Sequence, residues 1–314
     1  MIKFSTKSVI RSGALYIAAM ALIVLFSASG VVDARVRMFK VEPSQTDPAI
    51  TTVHGPDIAL YDPQAVDRHR LFLFIVGTGA KATGSRLIDT VFAKWGYHAI
   101  SIDYEDNVIA VSCAHSLNPA TFGRYHAAII TGAPVSAKVK VSAANSILNR
   151  FQKLLIYLVK HDPRGGWGQF VKNDRPAWPH IIVAGHSQGS GHAAYIGKLF
   201  RVDRVLMFSG PQDYMDNLHR PARWLLRKSA TPPSRFFAFL ALKDPFNVRH
   251  QIANCMVLMH LSKPATLMVK PGEVIHGNHP ILINNIPTKN PHGSTLLPQF
   301  KSIWKYMATA TTSR

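Results

Sequence analysis

The sequence contains few cysteines and few acidic residues. Its 314 residues include only two cysteines, Cys113 and Cys255, which excludes a scaffold built on several disulfides. The pair is compatible with one disulfide in an oxidising compartment or with two unrelated buried thiols. The sequence has 17 acidic residues and 36 lysines and arginines, which gives a net charge of +19. This excess favours anionic substrates or surfaces, or is a general property of the surface.

The signatures of several protein classes are also missing. There is no RNP, zinc-finger or helix-turn-helix pattern, and the basic residues are scattered, so we expect no nucleic-acid partner. The glycines of Gly77-Thr78-Gly79 do not continue as G-x-G-x-x-G, since Ala82 takes the last position, and no G-K-[ST] follows. No H-E-x-x-H, C-x-x-C or carboxylate cluster is present. The sequence therefore predicts neither a cofactor nor a bound metal.

Residues 1–34 have the layout of a secretory signal peptide. Lys3, Lys7 and Arg11 precede an apolar stretch over residues 14–26, and small residues follow up to Ala34. We therefore expect export to the periplasm or the medium, with residues 35–314 as one mature domain. If the segment is retained, its uncharged part is long enough to anchor the chain in a membrane. No cysteine lies near the cleavage region, which argues against a lipoprotein.

The remaining chain alternates between apolar runs and amphipathic helical patterns. Strands are predicted at residues 36–41, 57–61, 71–76, 98–103, 180–184, 204–208, 236–242 and 265–269, and helices at 85–95, 145–160, from 188 and at 299–308. This alternation predicts an α/β fold, a doubly wound, mostly parallel sheet with helices on both faces. Two long segments, residues 104–144 and 209–234, are candidate lids or binding loops.

The most informative motif is Gly185-His186-Ser187-Gln188-Gly189, between a predicted strand and a predicted helix. This context is that of a nucleophile elbow, a sharp turn that presents a serine hydroxyl at the edge of a sheet. The neighbouring glycines supply the space that such a turn requires. The motif predicts Ser187 as a catalytic nucleophile rather than as part of a glycine-rich turn.

A serine nucleophile needs a histidine base and a carboxylate that orients it, and both are expected after Ser187 in the chain. Asp244 follows the strand predicted at 236–242, and Asp213 is the rival acid one strand earlier. His292 precedes the closing helix and is the chosen base. We expect its ring nitrogens within hydrogen-bond distance of Ser187 and Asp244.

Two further histidines, His276 and His279, are alternative bases because they lie nearer the last predicted strand. His186, inside the elbow, is read as a neighbour of the nucleophile rather than as its base. The backbone N–H groups of Thr78 and Gln188 are the expected donors to an oxyanion, since Thr78 follows an early strand and Gln188 begins the elbow helix.

Together these segments resemble the α/β-hydrolase superfamily, and within it a little-characterised group of exported bacterial hydrolases. The resemblance rests on Val76-Gly77-Thr78-Gly79, Gly96-Tyr97-His98-Ala99-Ile100, Asp103-Tyr104, Asn145-Ser146-Ile147, Gly166-Trp167, residues 185–194, Pro291-His292-Gly293-Ser294 and Ile303-Trp304-Lys305-Tyr306. It implies the α/β-hydrolase fold over residues 35–314, with Ser187 as nucleophile and His292 as base. Relatives tend to have proline in place of Val76, and the segment around Asp244 matches less clearly.

The expected function is cleavage of an ester or related acyl bond by a serine hydrolase through an acyl-enzyme. A peptidase or thioesterase with the same triad is the alternative within this class. A different class also stays open, a non-catalytic cell-envelope binding protein on a hydrolase scaffold. The expected partner is a small or polymeric acyl substrate, and the sequence does not identify it.

Overall fold

The structure, a computed structural model, describes residues 36–311. Its main strands are β1 Arg37–Val41, β2 Asp57–Tyr61, β3 Leu71–Ile75, β4 His98–Ile102, β5 Ile181–His186, β6 Arg204–Phe208, β7 Phe236–Ala241, β8 Thr266–Met268 and β9 Ile281–Asn284. The α-helices are α1 Pro43–Thr46, α2 Arg86–Lys94, α3 Thr121–Thr131, α4 Ile147–His161, α5 Gln188–Leu199, α6 Val248–Met259 and α7 Lys301–Thr309. Short 3₁₀ turns and two small hairpins, 171–176 and 214–221, complete these residues.

The main strands form a nine-stranded sheet in the order β1-β2-β4-β3-β5-β6-β7-β9-β8. Strand β2 is antiparallel to both of its neighbours, β1 and β4. All the remaining neighbours pair in parallel. The carboxyl ends of β3, β5, β6, β7 and β9 therefore meet at one edge of the sheet, which is where this architecture binds its ligands.

The central strands are buried on both of their faces. Every residue of β3 and β7 is buried, as are Ile181–Gly185 of β5. A parallel strand whose two faces are both covered requires such an unbroken apolar run, because neither face contacts water. The runs Leu-Phe-Leu-Phe-Ile and Phe-Phe-Ala-Phe-Leu-Ala meet this requirement, and the predicted doubly wound sheet is confirmed.

Helix α4 shows how the local sequence sets the ends of an element. The Ser146 side chain accepts a hydrogen bond from the Asn149 N–H, which caps the first turn. The helix ends before Asp162, whose N–H bonds the carbonyl of Leu158, and Pro163 prevents its continuation. Most of the predicted apolar stripe is buried, whereas Leu148 is only half-buried and Val159 is exposed.

The sequence did not predict helices α1, α3 and α6, strand β9 or the two small hairpins. The segment 104–144, expected to be an irregular loop, contains α3, and α6 follows β7. Strand β9 lies between β7 and the predicted strand at 265–269, which becomes the edge strand β8. Its apolar run of three residues stands between Pro280 and the polar pair Asn284-Asn285, and is too short for periodicity to identify.

Cys113 and Cys255 are both free and buried, so the disulfide left open by the sequence is not formed. In the part of the chain that the structure describes, no helix has the length and apolar character needed to cross a membrane. The predicted signal segment, residues 1–34, lies outside the described residues.

Candidate active site

Ser187 stands on a sharp turn between β5 and α5. Its backbone has φ 57° and ψ −125°, a sparsely populated conformation for a residue with a side chain. Such strain persists only where the surrounding structure enforces it, and it is concentrated at functional sites. The Ser187 N–H bonds the carbonyl of Phe208 at 2.9 Å, which ties the turn to the end of β6. The side chain is almost fully buried, at 8% exposure.

The two outer glycines of the motif allow this turn to pack closely. A Cβ on Gly185 would overlap the backbone carbonyl of Gly189, and one on Gly189 would overlap the carbonyl oxygens of Ile75 and Val76. The elbow helix therefore approaches β3 so closely that there is no room for a side chain at Gly189. This contact brings the start of α5 beside the loop that follows β3.

Asp244 and His292 form a hydrogen-bonded pair at the carboxyl edge of the sheet. His292 Nδ1 lies 2.8 Å from Asp244 Oδ2, and the Asp244 side chain is fully buried. The second carboxylate oxygen, Oδ1, accepts the N–H of Phe246 at 2.9 Å. Burial alone raises the pKa of Asp244, but the bond and charge of His292 and the Phe246 amide outweigh it, so the pKa is lowered from 3.8. An ionised Asp244 accepts a hydrogen bond from the Nδ1–H of His292. The proton of the neutral ring is therefore on Nδ1, and Nε2 is the basic nitrogen.

The predicted hydrogen bond between Ser187 and His292 is not formed. The Ser187 Oγ instead accepts a hydrogen bond from Gln212 Nε2 at 3.2 Å, while His292 Nε2 is buried and has no hydrogen-bond partner. Catalytic hydrogen bonds are often long or misaligned before substrate binds, so this arrangement is compatible with a base that engages the serine later. Gln212, in the loop after β6, was not identified from the sequence.

The backbone of His292 is held in place from two neighbouring strands. Its carbonyl oxygen accepts a bond from His186 Nε2 at 3.0 Å and one from Ser209 Oγ at 2.6 Å. Burial, followed by the proximity of His292, lowers the pKa of His186 to about 4, so His186 is neutral at pH 7 and can donate from Nε2. His186 thus contacts the backbone of His292, and Ser209, which bonds the same carbonyl, was not identified from the sequence.

Thr78 and Gln188, whose backbone N–H groups are the expected oxyanion donors, contact each other through their side chains beside the elbow. The loop 77–80 closes with a hydrogen bond from the Ala80 N–H to the carbonyl of Gly77, and Thr78 Oγ1 donates to Gln188 Oε1 at 2.7 Å. The N–H of Ala110 bonds the same oxygen at 3.1 Å. Gln188 begins α5, so its own N–H has no partner within the helix and is available to a ligand.

Asp213, the rival acid, belongs to a different buried cluster. Its Oδ2 accepts bonds from His126 Nε2 at 2.6 Å and from Trp224 Nε1 at 2.7 Å. His126 Nδ1 in turn lies 2.9 Å from His192 Nδ1. Asp213 is thus committed to His126 of α3, which leaves Asp244 as the carboxylate on His292. Neither His126 nor His192 was singled out from the sequence, because buried histidines have no local signature.

The alternative bases do not lie at this edge. His279 stands just before β9 begins, hence at the amino end of that strand, and its N–H donates to the hydroxyl of Tyr306. His276 is exposed in the preceding loop. Among residues 36–311, no three histidine, cysteine or acidic side chains are grouped in a way that could hold a metal ion.

The strand order, the single reversed strand and the strained serine turn define the α/β-hydrolase fold, as the resemblance implied. No family model matches the sequence, and no curated protein matches it.

Solved structures with a similar course include an inhibited esterase B from Lactobacillus rhamnosis, at 11% identity and a TM-score of 0.46, covering 88% of this chain and 86% of that one. A second inhibited structure of that esterase, with a tributyrin phosphonate, has 12% identity, a TM-score of 0.45 and coverage of 88% and 84%. A protein assigned as a dienelactone hydrolase from Klebsiella pneumoniae subsp. pneumoniae MGH 78578 has 10% identity, a TM-score of 0.45 and coverage of 87% and 99%.

Proposed function

We propose that the protein is a serine hydrolase that cleaves an ester or related acyl bond through an acyl-enzyme. The observation that carries the proposal is the convergence of two independent features at one sheet edge. Ser187 occupies a strained elbow conformation, and the Asp244–His292 pair presents a buried, unpartnered Nε2 at the same edge. A binding protein has no need for either feature, whereas acyl transfer needs both.

In the proposed reaction, Ser187 Oγ attacks the substrate carbonyl carbon while His292 Nε2 takes the hydroxyl proton. The carbonyl π electrons move to oxygen, and the backbone N–H groups of Thr78 and Gln188 stabilise the resulting oxyanion. The tetrahedral intermediate then expels the leaving group, which receives the proton from His292 Nε2. Water repeats the sequence on the acyl-enzyme, with His292 again as base, and releases the acid.

Labelling with a fluorophosphonate tests the nucleophile directly, because the reagent forms a covalent bond to an activated serine. The wild-type protein should be labelled on Ser187, and Ser187→Ala should lose both the label and hydrolysis of p-nitrophenyl butyrate. Loss of such a nucleophile typically lowers kcat by about 10⁶-fold. Ser136→Ala, in the segment before α4, is the matched control and should keep both.

Persistent labelling of Ser187→Ala, with an unchanged folded content by circular dichroism, would disprove the assignment of Ser187. A wild-type protein that binds an acyl ligand but takes up no label would favour the non-catalytic alternative.

A further inference from the structure

Gln212 occupies a buried position whose two polar ends have different surroundings. It follows β6 and is 5% exposed. The Nε2 end donates to Ser187 Oγ at 3.2 Å, whereas the Oε1 end is buried and has no hydrogen-bond partner. The preceding carbonyl, that of Pro211, accepts a hydrogen bond from Asn254 Nδ2 of α6 at 3.0 Å, which attaches the loop to that helix.

The Nε2 end sets the direction of the serine hydroxyl. Because Oγ accepts a bond from Gln212, its own proton is free to be donated, and His292 Nε2 is the unpartnered base at the same edge. A donor on Oγ also stabilises the negative charge that develops there as the proton leaves. This end therefore positions the nucleophile for any acyl substrate.

The Oε1 end is different, because nothing in the described residues satisfies it. A buried acceptor without a hydrogen bond raises the free energy of the unliganded protein. A ligand that donates a hydrogen bond to this acceptor removes that cost and binds more tightly for it. Both ends belong to one planar amide, so Oε1 also lies close to the reacting serine. Because Oε1 is enclosed, a substrate donor beside the scissile carbonyl pairs with it only if the bound substrate displaces the groups that cover it.

Resting on the proposed function, we infer that Gln212 is a specificity-determining residue that selects substrates with a hydrogen-bond donor next to the scissile carbonyl. Two substrate groups supply that chemistry, the N–H of a scissile amide and a hydroxyl on the carbon adjacent to the carbonyl. Sites that bond a substrate donor discriminate strongly against analogues that lack it, since the protein group is then left unpaired.

The test uses three substrates with a common four-carbon acyl chain. p-Nitrophenyl butyrate carries no donor, p-nitrophenyl 2-hydroxybutyrate adds a hydroxyl, and butyryl p-nitroanilide replaces the ester oxygen by N–H. Each kcat/KM is compared between wild type and variant, so that intrinsic reactivity cancels. Gln212→Met removes both polar ends at similar length, Gln212→Glu keeps an acceptor and loses the donor, and Gln152→Met on α4 is the matched control.

We expect Gln212→Met to lower kcat/KM for a donor-bearing substrate roughly tenfold to hundredfold more than for p-nitrophenyl butyrate. Gln212→Glu should keep most of the wild-type preference for donor-bearing substrates, because it keeps the acceptor. Its kcat should stay low for all three substrates, because the bond to Ser187 Oγ is lost. An effect on the anilide alone identifies an amide N–H, and one on the hydroxy ester alone identifies a hydroxyl. Gln152→Met should match wild type.

An equal loss on all three substrates, or no loss, would overturn the inference and leave Gln212 with at most a positioning role. Fluorophosphonate labelling separates this failure from that of the proposed function. If wild type is labelled but Gln212→Met lowers kcat/KM equally for all three substrates, only the inference fails. If wild type is neither labelled nor active, the proposed function fails too. Should Gln212→Met not fold, Gln212→Leu, which also removes both polar ends, replaces it in the same comparison, with the same selective loss expected on donor-bearing substrates.

Discussion

Replacing Asp244 by asparagine changes which ring nitrogen of His292 carries the proton. In the wild type, Asp244 Oδ2 accepts from His292 Nδ1 at 2.8 Å and Oδ1 accepts from the Phe246 N–H at 2.9 Å. If the asparagine oxygen keeps the Phe246 bond, its NH₂ group faces Nδ1. Nδ1 must then act as acceptor, so neutral His292 carries its proton on Nε2, the wrong tautomer for a base.

The size of the effect follows from burial. The Asp244 side chain is fully buried, so water cannot replace the carboxylate, while the bonds from His186 and Ser209 to the His292 carbonyl do not involve Asp244. Substitutions of this kind lower kcat by roughly 10⁴-fold in serine hydrolases. That corresponds to about 5.5 kcal/mol of lost transition-state stabilisation.

Steady-state hydrolysis of p-nitrophenyl butyrate measures the loss, and circular dichroism checks that the variant folds. The matched control is Asp213→Asn, which removes the bonds to His126 and Trp224 instead. It should destabilise the protein by roughly 1–3 kcal/mol and keep a kcat near that of wild type. A folded Asp244→Asn with normal kcat, together with an inactive Asp213→Asn, would refute the reasoning and transfer the role of the acid to Asp213.

Three further predictions concern the turn, the pH response and the N-terminus. Gly189→Ala should cost about 3 kcal/mol or more in urea unfolding because its Cβ would overlap the carbonyls of β3, whereas Gly84→Ala, with nothing within 4 Å, should be neutral or slightly stabilising. The pKa of His186 is lowered from 6.5 to about 4, so between these values only the unfolded chain takes the proton and stability falls as pH falls. His186→Gln should flatten that slope by at most ~1.4 kcal/mol per pH unit, and an unchanged slope would contradict it. N-terminal sequencing of the exported protein should show that the mature chain begins after residue 34. Recovery of Met1 would favour a retained membrane anchor.

The sequence predicted the sheet well where apolar runs were long and bounded by turn residues. Strands β3, β5 and β7 are such runs. A parallel strand that is buried on both faces needs apolar side chains on both, so its sequence is an unbroken apolar run. Strand β9 was missed because three apolar residues between Pro280 and Asn284 look like part of a loop. It forms because β7 and β8 pair on either side of it, which is a tertiary effect.

The same limit applies to the site. Ser187 has a local signature, because the turn that presents it demands glycines at fixed positions. Asp244 was chosen because it follows a predicted strand, and His292 by its order in the chain and by the family resemblance. Their contact is a consequence of parallel strands that end at one edge. Gln212 and Ser209 have no such signature, since a lone polar residue after a strand is typical of many turns.

The cluster around Asp213 explains how the two long segments are attached to this edge. His126 comes from the segment 104–144, Asp213 and Trp224 come from 209–234, and His192 belongs to the elbow helix. The pKa of His192 is lowered far below 6.5 by burial and then by His126, so an added charge there is strongly disfavoured. A buried polar chain of this kind holds its partners in one arrangement, because any separation leaves unpaired groups out of water. The segment that carries Gln212 is therefore fixed to the helix that begins beside Ser187, and the contact between the two side chains follows from the fold rather than from a mobile loop.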